Sequence, residues 1–195
     1  MKNLGFIVIG VVLTLAIVAI GADIYAKSTG FAAKATPPRM EAVVANAALR
    51  FAIPAGDRAM RNPVTPTPDV MKDAMEHFAD HCAVCHAADG SGDTETGRGL
   101  YPPAPDMRMD ATQRLSDGEL FYIIEHGVRF TGMPGWSTGT DQGRDASWQL
   151  VSVIRHLPAM TTAEIETIKA QMPRSPEEIR AEIEEEQFLS QGDSK

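Results

Sequence analysis

Cysteine is scarce in this chain of 195 residues: there are only two, Cys82 and Cys85, three positions apart. A bridge between them would close almost no loop, so a scaffold held together by disulfides is excluded. Two thiols are also too few for a zinc site made of cysteines alone or for a cysteinyl iron–sulfur cluster. The chemistry of this pair must therefore be of another kind.

Basic residues are few as well, since 18 Lys and Arg stand against 26 Asp and Glu and give a net charge of −8. Binding to nucleic acid needs clustered Lys and Arg that neutralise phosphates. The composition therefore predicts no nucleic-acid partner. A net acidic surface suits a protein partner with a basic docking face, although net charge more often serves solubility.

One long apolar run stands at the N-terminus, where residues 4–22 carry no charge. At about 1.5 Å per residue this run just crosses a hydrocarbon core of roughly 30 Å. A signal peptide, the competing interpretation, has a shorter apolar stretch and small residues before its cleavage site, where this chain offers Ile20 or Ile24. We therefore predict that residues 1–26 form an uncleaved, single-pass membrane anchor.

The composition of residues 27–68 shifts to proline, alanine and scattered basic residues. Residues 41–52 predict a short helix of three turns. Five residues that oppose regular structure follow it: Pro54, Gly56, Pro63, Pro66 and Pro68. This pattern is typical of a semi-rigid linker, which would hold a soluble domain near the membrane while letting it swing.

The two cysteines belong to the sequence Cys82-Ala83-Val84-Cys85-His86, the C-x-x-C-H pattern of covalent c-type haem attachment. Two thiols on one helical turn add to the vinyl groups of the porphyrin, and the adjacent imidazole is placed at the iron. A thioredoxin-like redox pair needs a surrounding βαβ pattern, and none is visible. We therefore predict one haem c, attached through Cys82 and Cys85, with His86 as a ligand of its iron.

A helical pattern runs directly into this motif. Thr67 and Pro68 are typical of a helix start, and the apolar residues that follow recur at helical spacing as far as Phe78. Residues 87–99 after the motif are rich in glycine and predict a loop.

Two further helices are predicted downstream. Ser116 and Glu119 form a capping box for the first of them. Residues 148–157 place their apolar side chains on one helical face and stop at Pro158, which predicts the second. Between the two, Met133 stands within a Gly-Met-Pro sequence that predicts a tight loop.

In this order of features, residues 69–160 resemble a class I c-type cytochrome domain. The shared features are a helix running into C-x-x-C-H, a Gly-rich loop, a Pro-x-hydrophobic element, a capped helix, a Gly-Met-Pro loop and an aromatic-bearing last helix. The resemblance covers about half of the chain and implies an all-α fold. The transmembrane helix would precede this domain, and an acidic helical extension at residues 161–195 would follow it.

The resemblance also implies roles for single residues. Met133 would be the second axial ligand of the iron, opposite His86, with Met107 and Met109 as rivals. Pro105 would accept a hydrogen bond from the other ring nitrogen of His86, as the partners of metal-bound histidines generally do. Met107 would pack on the haem where the family usually has leucine. Ligation by His and Met leaves no position on the iron for a small-molecule substrate, which favours a carrier over a catalyst.

Other residues offer alternatives to these roles. A bis-histidine haem would use one of the four remaining histidines: His77, His81, His126 or His156. Three side chains are candidates either for hydrogen bonds to the haem propionates or for ordinary packing: Arg98, Tyr101 and Trp136.

The C-terminal extension carries two helix starts and a run of acids. Thr161 and Glu164 form a second capping box, and Ser175 with Pro176 predicts the start of a last helix. The acidic run at 182–186 is typical of a solvated helix face. A sharper hypothesis makes it a docking arm for a membrane complex or a basic carrier.

Together these features predict a membrane-anchored monohaem cytochrome c that passes single electrons between periplasmic or membrane redox partners. It would not be an enzyme itself, whether it is free-standing or a subunit of a respiratory complex. The alternatives are a haem-using enzyme component, such as a peroxidase or oxidase subunit, and a thiol-bearing assembly module without haem.

The location follows from the haem motif rather than from the charges around the span. Lys27, Lys34 and Arg39 follow the apolar run and only Lys2 precedes it, the reverse of the positive-inside rule for an exported domain. The resemblance outweighs this because c-type haem is attached on the far side of the bacterial membrane. We predict an inner-membrane protein whose haem domain faces the periplasm.

This orientation predicts that a protease added to spheroplasts with a sealed inner membrane degrades the C-terminal domain. A cytoplasmic marker protein in the same sample should stay intact. Immunoblotting against a C-terminal tag measures both, and protection of the tagged domain would show that the orientation is the opposite one.

Overall fold

The protein is described by a computed structural model that covers residues 2–30, 32–173, 180, 183 and 184. Every regular element among these residues is helical, which confirms the predicted all-α class. The helices are α1 (Lys2–Thr29), α2 (Arg39–Ala52), α3 (Ala55–Arg58), α4 (Pro68–His81), α5 (Ala83–His86), α6 (Glu95–Gly99), α7 (Asp110–Gln113), α8 (Asp117–His126), α9 (Asp141–His156) and α10 (Thr162–Gln171), with a 3₁₀ turn at Leu157–Ala159. The helix predicted from Ser175 onward and the acidic run at 182–186 lie largely outside the described residues.

Helix α1 contains the long apolar run. Its segment Leu4–Ser28 is long and apolar enough to cross a membrane by length and composition, and none of it is buried against the rest of the protein. Asp23 and Lys27 form an ion pair one turn apart near the end of the helix. Helix α1 is therefore a candidate membrane span, as predicted.

The core lies where α4 packs against α9. Ala74 and Phe78 of α4 are almost completely buried, and so are Val151 and Val153 of α9. A small residue lets two helix axes approach, and the aromatic ring of Phe78 fills the space beside it. The predicted start of α4 is confirmed, because the Thr67 hydroxyl accepts a hydrogen bond from the Val70 amide.

Helix α8 packs against α9 through an aromatic pair. The rings of Phe121 and Trp148 stack with centroids 4.1 Å apart, a favourable arrangement for buried aromatics. The capping box of Ser116 and Glu119 is present as predicted. Helix α9 begins seven residues earlier than the predicted 148, because the Thr140 hydroxyl caps it by accepting from the Gly143 amide.

The stretch after α2 differs from our prediction of a linker without regular structure. Ile53 is fully buried, and the short helix α3 follows it. The Asn62 side-chain amide donates to the Trp148 carbonyl (2.9 Å) and the Ser152 hydroxyl (3.0 Å), which ties this stretch to α9. Proline limits regular structure locally, but it does not prevent an extended segment from packing on a core.

The packed core extends beyond both ends of the predicted domain 69–160. Ile53 precedes the first boundary, and Ile168 of α10, beyond the second, is also fully buried. Helix α10 packs against α4 and starts with the predicted capping box of Thr161 and Glu164. The division at residues 68 and 160 stays a prediction about domains; the packing is continuous across both positions.

Helix α10 generates a prediction about pH. Hydrogen bonds from the Thr161 amide and hydroxyl hold the pKa of Glu164 below its ordinary value of 4.5. A carboxylate with a lowered folded-state pKa contributes stability above its unfolded-state pKa and loses it as the pH falls through the folded-state pKa. Glu164→Gln should therefore lower the free energy of unfolding by about 0.5–1 kcal/mol at pH 7, and by less at pH 3.

Urea unfolding of both proteins at the two pH values measures this difference. Glu166→Gln is the matched control, because Glu166 lies on the same helix and bonds the exposed Lys169 instead of the cap. An equal loss of stability for Glu164→Gln at pH 7 and pH 3 would show that the carboxylate charge does not support the cap.

Candidate functional site

The C-x-x-C-H motif forms the joint between α4 and α5. Cys82 is the single residue between the end of α4 and the start of α5, and its carbonyl accepts from the His86 amide (2.9 Å). Cys85 and His86 complete this single turn. The structure therefore brings both thiols and the imidazole together on one short helical segment, as the sequence predicted.

The two thiols are in the wrong environment for a redox-active pair. Burial, with the nearby Cys85 as a smaller cause, raises the pKa of the Cys82 thiol to about 12. Burial also raises the pKa of Cys85. Redox-active cysteines have a lowered pKa that favours the thiolate. A thioredoxin-like pair would also sit beside a βαβ unit, and the described part of the chain has no strand.

The His86 ring lies in an environment that favours its neutral form. Burial lowers the pKa of His86, and the nearby Pro105 carbonyl acts in the opposite direction with a smaller effect. A neutral imidazole is the form that binds a metal. The proximity of the Pro105 carbonyl to His86 agrees with the role that the resemblance gave to Pro105.

The His86 Nδ1 atom is buried but makes no hydrogen bond of acceptable geometry, even with Pro105 nearby. Such an atom is rare in a folded protein, because an unpaired buried polar group is unfavourable. Its position fits a histidine whose ring orientation is completed only when its other nitrogen is ligated. An unpaired Nδ1 beside a carbonyl is therefore consistent with a haem group at this site.

The Gly-rich loop returns from His86 to the Pro105 segment. The Gly92 amide donates to the His86 carbonyl (2.9 Å), and the Met107 amide donates to the Gly90 carbonyl (2.8 Å). Met107 is 6 % exposed and belongs to the core. The loop thus places Pro105 and Met107 next to the haem motif, and packing of Met107 on a haem stays a prediction.

Gln113, which we did not single out from the sequence, connects the segment around Met107 to helix α9. The Gln113 side-chain amide donates to the Met107 carbonyl (2.7 Å) and to the Ile154 carbonyl (2.8 Å). No sequence signal identifies it, because both acceptors are backbone atoms and one of them is 41 residues away.

A cluster of ion pairs around Arg108 joins the start and the end of the Gly-rich loop. Arg108 donates to Asp106 (2.8 Å) and to Asp89 (2.7 Å), which joins the two ends of the loop. The hydrogen bond from Arg108 is the main cause that lowers the pKa of Asp106. The contact between Asp106 and Arg108 could be predicted from their short separation in sequence. The contact of Arg108 with Asp89 could not, because the two residues are 19 positions apart.

Met133 lies in the loop between α8 and α9, and the backbone around it is held against α8. The Met133 carbonyl accepts from the Val128 amide (3.1 Å), and the Trp136 amide donates to the Ile124 carbonyl (2.9 Å). Gly127 makes this approach possible, since a Cβ there would lie 2.6 Å from the Met133 carbonyl oxygen. The loop is therefore well defined, and ligation by Met133 stays a prediction.

The alternative candidates have partners elsewhere in the protein. The rings of His77 and His81 are 4.8 Å apart, and His81 also packs edge-on against Trp136 at 5.2 Å. The remaining contacts are His126 with Tyr122, His156 with Glu164 (3.0 Å), Arg98 with Asp93, and the Tyr101 hydroxyl with Glu41 (2.6 Å). These contacts give ordinary structural reasons for the four histidines and for the propionate candidates.

The donor set matches haem iron better than a metal cluster. Among the described residues, no group of three or more His, Cys, Asp and Glu side chains is arranged to hold a metal ion. One imidazole, two thiols beside it and a methionine in a defined loop are the protein groups that a c-type haem uses.

The loop geometry predicts that Gly92→Ala destabilises the site. Gly92 has φ +74°, and a Cβ there would lie 2.4 Å from the Ala104 carbonyl oxygen. We expect a loss of about 1–3 kcal/mol in the free energy of unfolding and a smaller fraction of chains with haem attached. Gly99→Ala is the matched control, because a Cβ at Gly99 meets nothing within 4 Å. Equal unfolding midpoints for the two variants would contradict the tight approach.

A comparison with family models finds a match that covers this site. Residues 69–154 match the family described as cytochrome C oxidase, cbb3-type, subunit III. The match begins in α4 and ends in α9, so it includes the C-x-x-C-H turn and the Met133 loop. No curated protein matches the chain. Residues 69–154 thus form a c-type cytochrome domain, which transfers electrons with haem c, in a chain whose N-terminal helix is a candidate membrane span.

Proposed function

We propose that this domain binds one haem c covalently through Cys82 and Cys85 and carries single electrons. His86 and Met133 are its axial ligands in this proposal. The observation that carries it is the family match over a stretch that contains the chain's only C-x-x-C-H motif. One such motif supports one haem.

The residues of the site suit this group. Partial burial raises the pKa values of both thiols, which keeps them protonated and protects them from thiolate side reactions until they react with the haem. The neutral His86 ring offers a lone pair for the iron. Its unpaired Nδ1 lies near the Pro105 carbonyl, and a hydrogen bond between them would fix the tautomer that leaves Nε2 free.

When bound, the haem supplies reversible one-electron exchange at its iron. The chain itself positions His86 on the turn after Cys82 and Met133 in the loop hydrogen-bonded to α8. Burial of Met107 keeps that side of the site apolar. An iron with both axial positions filled by protein has none open for a substrate, which favours an electron carrier over a haem enzyme.

We place the protein in the inner membrane as a single-pass protein with its cytochrome domain in the periplasm. The candidate span α1 supports the anchoring, and c-type haem attachment supports the periplasmic side. The family description names an oxidase subunit, which favours partners within a membrane-bound respiratory complex. One electron would arrive from a reduced donor and one would leave to an acceptor.

The proposed ligand generates a spectroscopic prediction. In the oxidised protein, Met133→Ala should abolish the long-wavelength sulfur-to-iron absorption band. It should also lower the reduction potential by an amount on the order of 0.1 V, since a methionine ligand raises it. Met109→Ala is the matched control, because Met109 is 59 % exposed and lies outside the core. A band that survives in Met133→Ala would move the ligand to another residue.

The same pair of variants tests the alternative of a haem-using enzyme. The reduced wild-type protein and Met109→Ala should not bind carbon monoxide, whereas Met133→Ala should bind it at the vacated position. Optical difference spectra measure the binding. Rapid binding by the wild-type protein would reveal an open iron position and favour the enzyme.

A further inference from the structure

Helix α2 exposes most of its apolar side chains, and none of its residues is buried. Met40, Val44 and Phe51 have exposed fractions of 75 %, 60 % and 90 %. Leu49 and Ala42 are only half-exposed. A helix on the surface of a water-soluble domain usually turns its apolar side toward the core instead.

The exposed apolar residues form a continuous stripe. At 3.6 residues per turn, Met40, Val44, Ala47 and Phe51 fall within an arc of about 60° on one side of α2. Leu49, which is partly buried, lies on roughly the opposite side. We call Met40, Val44, Ala47 and Phe51 the outer stripe.

The position of the outer stripe in the chain points to lipid. Helix α1 ends at Thr29 and α2 starts at Arg39, so α2 begins close to where the candidate span leaves the membrane. Tyr25, on the last turns of α1, lines the same apolar groove as Met40 and Val44. Tyrosine is enriched where a span meets the lipid headgroups. The outer stripe is therefore continuous with the membrane-facing surface of α1.

Basic residues flank the outer stripe. Lys34 precedes α2, and Arg39 and Arg50 lie along one edge of the helix, all three exposed. A helix with an apolar stripe and flanking Lys and Arg is the type that lies in the interface of a bilayer with anionic lipids. The chain as a whole has a net charge of −8, so this basic character is local to the region around α2.

We propose that α2 is an interfacial helix that inserts its outer stripe into the headgroup region of the membrane. The partner is the surface of the same bilayer that α1 anchors in, and the proposal rests on that anchoring and not on the haem. Glu41 accepts from the Tyr101 hydroxyl, and Arg50 pairs with Glu119 at 3.9 Å, so α2 is joined to the cytochrome domain. The domain would then be held against the membrane in one orientation instead of swinging on a linker.

Spin labels in the full-length protein test this proposal. Val44→Cys places a nitroxide in the outer stripe, and Asn46→Cys places one on an exposed position about 160° away around the same helix. Each protein is reconstituted into vesicles of phosphatidylcholine with one part in four of phosphatidylglycerol. Power saturation then compares access of oxygen, which enriches in lipid, with access of a nickel complex present on both sides of the membrane.

We expect oxygen to be favoured over nickel several-fold more at Val44 than at Asn46. Equal nickel access at both labels would show that the stripe is in water and overturn the proposal. A Val44 label shielded from both reagents would mean that a second copy of the protein covers the stripe, which overturns it as well. Unsubstituted protein treated with the label gives the background from Cys82 and Cys85, and Met40→Cys replaces Val44→Cys if that variant does not fold.

The test also separates this inference from the proposed function. Oxygen preference at Val44 in a protein without haem absorption would support the interfacial helix and reject the electron carrier. Haem absorption with Val44 in water would do the opposite.

Discussion

Helix α4 packs along α9 through Ala74, Phe78 and the fully buried Val151, and this contact determines where the haem motif lies. Because Cys82 ends α4, the position of its thiol follows from the crossing of the two helices. Cys85 and His86 occupy the next turn and have little freedom of their own. A cofactor attached to two adjacent points on this joint would be rigidly connected to the core of the domain.

The loop that returns from the motif depends on the same crossing. Gln113 connects the Met107 carbonyl to Ile154 of α9, so the segment that contains Pro105 is positioned by the same helix. Burial lowers the pKa of His86 and favours its neutral form. The Nδ1 atom of the ring lies near Pro105 and makes no hydrogen bond with the described residues. A rigid site of this kind suits electron transfer. If the structure changes little between two oxidation states, the reorganisation energy of each transfer is small.

The elements with strong local signals were predicted well from the sequence. The helix starts at Thr67, Ser116 and Thr161 are all confirmed, since each depends on a side chain that bonds an amide three residues ahead. The C-x-x-C-H turn is equally local. The fold class and the helical turn of the C-x-x-C-H motif therefore follow from short-range chemistry that a single sequence displays.

Contacts between distant residues could not be predicted. Asn62 stands among prolines that indicate a linker, and its bonds to α9 reach 86 and 90 residues along the chain. The early start of α9 was missed because Gly143 hides the helical pattern that Thr140 begins. The outward apolar stripe of α2 was also missed, since periodicity reveals that a helix has an apolar side but not which way that side faces.

In the proposed protein, two thioether bonds hold one haem. The intact mass of the protein, purified from a host that matures c-type cytochromes and measured after denaturation and reduction, tests it most directly. The account predicts the mass of the chain plus one haem, and a return to the unmodified mass when Cys82 and Cys85 are both replaced by alanine. A wild-type protein with the unmodified mass would contradict it.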